Sequence, residues 1–153
     1  MDEIITRLAS KIDVDDVATL FDLYRQFYEQ VPDIQLAQSF IRTRIDRNES
    51  VIIVAELGNR LIGFCQMYPA FCSIEAAPIY TLYDLFTHPD FRRTGAGKAL
   101  LLAAEEHTKQ AGFVRMDLTT ARSNIKAQQL YESLGWVRDE VYIAYSKSVM
   151  PRN

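Results

Sequence analysis

The sequence predicts a mixed α/β fold in a single domain spanning residues 1–153, and three observations predict it. Apolar positions switch repeatedly between a period of two and a period near 3.6 along the chain. A glycine-containing, doubly basic loop, Arg92 to Gly97, separates a β-rich apolar run from a helical one. Finally, 153 residues without a repeat, a low-complexity tract or a linker suit one core rather than two.

The elements follow in order. Ile4 to Leu8 is a first strand. Asp13, Asp15 and Asp16 crowd a helix start, and Val17, Leu20, Phe21, Tyr24, Phe27 and Tyr28 continue its apolar stripe. Pro32 breaks that helix, and a second runs from Ile34 to Arg47 with Phe40, Ile41 and Ile45 inward. Val51 to Leu57 and Arg60 to Tyr68 form two strands joined by a tight turn at Gly58-Asn59. Ser73 to Pro78 is a loop that leads into a fourth strand, Tyr80 to Thr87. A helix from Gly97 to Ala111 ends at Gly112, and Arg115 to Thr120 makes a fifth strand. Asn124 to Leu134 is the last helix, with Gly135 as its left-handed cap. A closing strand or strand pair is expected over Trp136 to Lys147. The resulting order is β-α-α-β-β-β-α-β-α-β.

Bulk properties narrow the function classes. Hydrophobic residues make up 48% and charged residues 24%, as in ordinary globular proteins. A net charge of −3 disfavours non-specific binding to nucleic acid. The two cysteines, Cys65 and Cys72, lack metal or redox spacing, and both are expected to be reduced thiols. His88 and His107 have no partner at ligand spacing, so no metal is expected. No signal peptide, lipidation motif or membrane-length apolar run is present, and the expected location is cytoplasmic, away from membranes.

The loop Arg92-Arg93-Thr94-Gly95-Ala96-Gly97 has the makings of an anion site. First-turn N–H groups of a helix lack intrahelical partners and carry partial positive charge. Gly95 and Gly97 let a phosphate approach the backbone, and Lys98 adds a cation. Two common phosphate motifs fail on spacing. A P-loop needs glycine where Arg92 stands and Ser or Thr where Ala99 stands, while a dinucleotide fingerprint needs Gly or Ala where Leu100 stands. A solvated helix start is the alternative for the loop taken alone.

The pattern Arg-x-x-Gly-x-Gly at Arg92 to Gly97 resembles the coenzyme A loop of the GNAT superfamily of N-acetyltransferases. The segment Ser123-Asn124-Ile125-Lys126-Ala127-Gln128-Gln129-Leu130-Tyr131-Glu132-Ser133-Leu134-Gly135-Trp136 resembles that superfamily's second signature, and Leu82 to Phe91 resembles the strand leading into its coenzyme loop. Together these cover roughly residues 80 to 137. The resemblance implies a mostly antiparallel mixed sheet flanked by about four helices, and acetyl-CoA as co-substrate without a metal. It implies that Leu85, Phe86 and Thr87 on a bulged strand face the pantetheine and thioester, and that Arg92, Arg93, Thr94, Gly95, Ala96, Gly97 and Lys98 hold the diphosphate. Asn124 would meet the coenzyme or cap its helix, with Ser123 able to cap instead. Tyr131, two turns beyond Asn124 on the same helix face, would meet the coenzyme and protonate the departing thiolate; core packing is its alternative. The resemblance also implies a homodimer, for which an exposed C-terminal strand edge would serve.

The implied reaction moves an acetyl group from a thioester to an amine. An alkyl amine with pKa ~10.4 is ~1 part in 2,500 free base at pH 7, a cost of roughly 4.6 kcal/mol without help. In the superfamily many relatives place a Glu where this chain has Thr119, so the proton goes to another carboxylate, Asp84 ahead of Glu29, or directly to bulk water through a channel. Asp84 is the best nearby carboxylate, either as a water-relayed base or as a structural partner for an arginine such as Arg115. Tyr24, Tyr28 and Glu29, with Tyr83 and Thr119, are the candidate acceptor residues, since ring faces and one carboxylate suit a cationic amine. Core packing is the alternative for Tyr24. The expected function is acetyl transfer to a primary amine of a small molecule by direct attack in a ternary complex. The alternatives are a protein lysine or N-terminal acetyltransferase and a non-catalytic acyl-CoA-binding module. The Tyr-x-x-Phe-Tyr run and the Leu-Tyr-Asp-Leu-Phe strand look most like the polyamine, histone and amino-acid acetyltransferase branch.

Overall fold

In the computed structural model, which describes residues 2–151, the chain forms two compact units, one ending at Thr119 and one beginning at Thr120. The first contains strands β1 (Ile4–Leu8), β2 (Val51–Leu57), β3 (Arg60–Cys72), β4 (Ala77–Thr87) and β5 (Met116–Asp117). Its helices are α1 (Val14–Phe27), α2 (Ile34–Asp46) and α3 (Ala96–Gln110). The second contains α4 (Ile125–Ser133).

The five strands pair in chain order, antiparallel from β1 to β4, with β5 added parallel to β4. The short β2–β3 hairpin works because Gly58 takes φ +63° at the turn. The sheet is therefore mixed and mostly antiparallel.

Alternation along each strand divides the core. On one face Ile52, Val54, Phe64 and Phe86 meet Val17, Ala18, Leu20 and Phe21 of α1 and Ala37 and Ile41 of α2. On the other, Cys65 lies under α3, its thiol donating weakly to the Leu100 carbonyl at 3.9 Å. Gly63 allows the close approach there: a Cβ would stand 2.9 Å from the Phe86 carbonyl oxygen and 3.4 Å from Leu100.

Buried acids tie the helices down. Asp13, next to α1, takes two bonds from the Arg7 guanidinium of β1 at 2.7 and 2.8 Å, and Arg7 also reaches Glu56 of β2 at 2.7 Å. Asp22 accepts from the Asp33 N–H at 2.9 Å and so fixes the α1–α2 connection. Asp33 then caps α2 by accepting from the Leu36 N–H at 3.1 Å.

The β3–β4 ladder contains the feature that shapes the site. Gln66 pairs with Asp84 and Met67 with Leu82, so Tyr83 is an extra residue in β4. Such a bulge flips the side-chain alternation beyond it. Leu82 therefore faces the α3 side with Met67, while Asp84 turns to the α1 face with Gln66.

Several expected elements differ: β3 runs on past Tyr68 to Cys72, and β4 begins at Ala77, within the expected Ser73 to Pro78 loop, because the two strands keep pairing as far as Cys72–Ala77. The fifth strand shrinks from Arg115–Thr120 to Met116–Asp117, because β4 bends away at Tyr83 just after the pairs Tyr80–Met116 and Thr81–Asp117. The closing strand over Trp136 to Lys147 does not form, nor does the strand edge expected to serve a dimer. A strand needs a ladder partner, and among the described residues of this unit the one regular element is α4; Val141, Ile143 and Tyr145 are 81%, 74% and 88% exposed. Within the second unit Asn124 caps α4 by accepting from the Ala127 N–H at 3.3 Å, so Ser123 is not needed for that task. Gly135 takes φ +93° after the helix, as expected of a left-handed cap.

Candidate active site

Past Thr81 the β4–β5 ladder ends, and β4 keeps only β3 as its strand partner. The His88 N–H donates to the Ile62 carbonyl of β3 at 2.7 Å. Stepping back by twos, Phe86 also aims its N–H at β3, whereas Leu85 and Thr87 aim theirs away from it. Of the three residues expected to face a coenzyme, Leu85 and Thr87 thus present backbone on the outer side. Phe86 is 5% exposed and joins the core through its ring.

Beyond β4 a 3₁₀ turn (Pro89–Phe91) leads into the loop and α3. Arg92 is steered back: its Nε donates to the Thr87 carbonyl at 3.2 Å, and its guanidinium lies 5.6 Å from the Phe86 ring centroid. Thr94 donates from Oγ1 to the Phe91 carbonyl at 2.7 Å, which tightens the turn. Arg93 adopts φ +68° and Gly95 φ +88°, a left-handed pair of positions within three residues. Gly95 caps α3 without any side-chain hydrogen bond, so the first-turn N–H groups of Ala96, Gly97 and Lys98 receive no capping acceptor from it. A Cβ placed on Gly95 would find nothing within 4 Å. Arg92, Arg93 and Lys98 are all exposed around this opening.

Asp84 lies on the other side of β4 from solvent, 4% exposed. The Gln66 Nε2 donates to its Oδ2 at 2.6 Å, and Gln66 Oε1 in turn accepts from the Ser50 hydroxyl at 2.7 Å. The Tyr24 hydroxyl donates to the Tyr83 carbonyl at 3.2 Å and stands beside the same carboxylate. Burial pushes the Asp84 pKa above the usual carboxylate value, while the Gln66 and Tyr24 donors pull it back. Arg115, an alternative partner by sequence, instead binds Asp117 and Glu75, each at 2.8 Å.

Aromatic rings line this region. Tyr24 meets Tyr28 edge-on at 5.2 Å and also Phe64 and Phe86 near 6 Å. Tyr83, 67% exposed, meets Tyr68 edge-on at 5.7 Å. Burial and the nearby Asp84 push the Tyr68 phenol up to about 12. Tyr24 is raised further by the same causes.

The structure thus gathers Tyr24, Tyr28, Tyr83 and Asp84 around the bulge, with Leu85, Phe86, Thr87 and Arg92 following directly. Glu29 sits on an exposed turn at φ +64° and joins none of the ring contacts, and Thr119 is exposed beyond the end of β5. Asn124 and Tyr131 belong to the second unit, where Tyr131 packs against Trp136 with centroids 6.1 Å apart. Gln66, Ser50 and Tyr68 were not anticipated. The available signal was Gln66 itself, a lone amide in the run Leu61-Ile62-Gly63-Phe64-Cys65-Gln66-Met67, which a strand buries only if the amide has partners.

Comparison with known proteins settles the family, because residues 17–136 match the Acetyltransferase (GNAT) family. The chain belongs to that family. An uncharacterized N-acetyltransferase, YhfO, from Bacillus subtilis (strain 168) is 41% identical over 143 residues, 94% of this chain and 96% of that one. The crystal structure of a probable acetyltransferase matches with a TM-score of 0.89 at 32% identity, covering 98% and 99% of the two chains. An aminoglycoside N-acetyltransferase, AAC(6')-Iy, in complex with CoA shares the fold with a TM-score of 0.81 at 18% identity, covering 97% of each chain. The chain is accordingly an N-acetyltransferase. Among the described residues of this GNAT enzyme, no His, Cys, Asp or Glu group is arranged to hold a metal, and no helix is long and apolar enough to cross a membrane.

Proposed function

We propose that this acetyltransferase moves the acetyl group of acetyl-CoA to a primary amine of a small molecule, by direct attack within a ternary complex. The observation that carries the reading is Asp84: a buried carboxylate with no cationic side chain bonded to it among the described residues, on the stretch of β4 that runs past its last pairing with β5 at Thr81.

The coenzyme fits what the first unit offers. First-turn N–H groups of Ala96, Gly97 and Lys98, the open space over Gly95 and the exposed Arg92 and Arg93 suit a diphosphate. The outward N–H groups of Leu85 and Thr87 suit an extended amide-bearing arm and the thioester carbonyl. When bound, acetyl-CoA supplies the activated acyl group and a thiolate that can leave. Asn124 and Tyr131 are assigned to the coenzyme by the family motif they occupy. The same motif makes Tyr131 the acid that donates its phenolic proton to the departing sulfur.

Asp84 accepts the proton that the ammonium form of the acceptor must lose, directly or through one water. Its raised pKa brings it nearer to the amine's and eases that transfer. Tyr24, Tyr28 and Tyr83 offer ring faces and hydroxyls to a cationic chain, and Asp84 gives it a charge to approach. Glu29 and Thr119 remain acceptor-side candidates from the sequence alone.

Acetyl-CoA-dependent thiol release over polyamines, amino acids, aminoglycosides and lysine peptides tests the proposal. Turnover on one small-amine class, cut ~10²–10⁴-fold in Asp84→Asn, is the expected result. Turnover confined to peptides would move the acceptor to proteins. Full activity in Asp84→Asn would remove the assigned base.

A further inference from the structure

We propose that Gln66 is a positioning residue that sets how tightly Asp84 holds a proton, and that Ser50 fixes the amide orientation in which it does so. The inference rests on Asp84 acting as the base.

Gln66 is 0% exposed in the middle of β3, where a primary amide survives only with its polar atoms bonded. Both ends are engaged: Oε1 accepts from the Ser50 hydroxyl at 2.7 Å and Nε2 donates to Asp84 at 2.6 Å. The orientation carries chemical information. An ionised carboxylate has no proton to give, so it requires the NH₂ end of the amide. Ser50 donates its single proton to Oε1 and thereby holds the NH₂ end on Asp84. Once Asp84 is protonated, its O–H could instead donate to an amide carbonyl. That requires Gln66 to turn over and the Ser50 bond to be remade the other way. The Ser50–Gln66 pair therefore favours the anion, which is the form a base must have before each turnover.

The other groups near Asp84 leave Gln66 much of this task. Tyr24 on α1 is a second neutral donor but shares its hydroxyl with the Tyr83 carbonyl. Tyr68 on β3, and Tyr28 and Tyr83 near Tyr24, contribute phenols, and Cys65 on β3 is held as a neutral thiol by burial that pushes it up to about 12. Arg44 and Glu49 act on Tyr68 and pair with each other at 3.1 Å, so their charges largely offset. Among the described residues no ion pair includes Asp84. A buried anion without a cation depends on its neutral donors.

The test is the pH dependence of kcat/KM for the amine at saturating acetyl-CoA, in Gln66→Met, Ser50→Ala and Asp84→Asn, with thermal melts to establish folding. Gln66→Met should move the acid limb to higher pH, lowering kcat/KM at pH 7 about tenfold while the high-pH plateau survives. Ser50→Ala should move it the same way by less, and KM for acetyl-CoA should stay within about twofold in both. An acid limb unmoved in both variants overturns the proposal. Should Gln66→Met fail to fold, Ser50→Ala decides, since a merely structural hydroxyl would not move the limb. Asp84→Asn separates the two layers. If the limb vanishes there but stays put in the other variants, only the role of Gln66 falls. If the wild-type limb persists in Asp84→Asn, the base assignment falls and this proposal with it.

Discussion

The Tyr24 hydroxyl on α1 donates to the Tyr83 carbonyl on β4 across 3.2 Å and 59 positions of sequence. That bond ties a helix to the extra residue of the bulge, and the bulge is what turns Asp84 inward. Tyr24 thus has two jobs in one side chain: its ring packs with Phe21, Phe64 and Phe86, and its hydroxyl braces the strand beside the carboxylate.

Tyr24→Phe should separate those jobs. The ring packing survives, so the stability loss should be about 0.5–1.5 kcal/mol, the usual net worth of one hydrogen bond. Losing a donor near Asp84 should move the acid limb of kcat/KM to higher pH. Urea denaturation and a pH–rate profile check the two effects. A loss well above that range would mean that the bulge itself collapses without the hydroxyl.

Asp84→Asn should be nearly inactive yet no less stable than the wild type. A carboxyl whose folded pKa lies above its unfolded one binds protons more tightly when folded. It therefore costs stability progressively as pH rises from about 4 through the raised value. The amide carries no such cost and still accepts from Gln66. Activity should fall ~10²–10⁴-fold, while the melting temperature at pH 7–8 holds or rises. A clear destabilisation at pH 7 would instead make Asp84 a structural anion.

Gly95→Val should spare the fold and damage coenzyme use. At φ +88° a β-branched residue is strained, by roughly 1–2 kcal/mol. Its side chain would also stand in the open space over the first-turn N–H groups of α3. KM for acetyl-CoA should rise about tenfold or more, with a smaller change in KM for the amine. Equal effects on both would place the diphosphate elsewhere.

Most of this architecture is legible from local pattern. Val51–Leu57, the helix start crowded by Asp13, Asp15 and Asp16 and the helix from Ile34 after Pro32 follow from local pattern, and the basic loop from glycine spacing. What escapes is what depends on partners distant in sequence. Nothing in Leu82-Tyr83-Asp84-Leu85 marks Tyr83 as an extra residue, because a bulge is a relation between β4 and β3. Gln66 becomes meaningful only once that bulge brings Asp84 opposite it. Val141 to Tyr145 has strand-like composition, but composition supplies no ladder partner. Arg115 fails to meet Asp84 because Asp117 and Glu75 are nearer in space.

Tyr131→Phe tests the motif-based assignment of the acid. The ring should keep its place beside Trp136. If the phenol protonates the departing thiolate, kcat should drop ~10²–10⁴-fold with acetyl-CoA affinity kept within a few-fold. Binding measured by calorimetry beside single-turnover rates distinguishes this from a packing role, in which neither would move.

The Arg7–Asp13–Glu56 cluster should govern how the first unit meets acid. Two bonds from Arg7 and one from the Ser10 N–H hold the Asp13 carboxyl at about 2, against an ordinary 3.8. A carboxyl depressed on folding contributes stability that is present above its unfolded pKa. That contribution is lost as pH falls through the folded one, here between about 4 and 2. The displacement corresponds to about 2 kcal/mol, trimmed to 1–2 because Arg7 is about a third exposed to screening solvent. Asp13→Asn should therefore unfold at lower urea than wild type by that margin at pH 5–7, with the two curves converging near pH 2. A gap that stayed constant down to pH 2 would assign the loss to the capping geometry at Ser10 rather than to the charge.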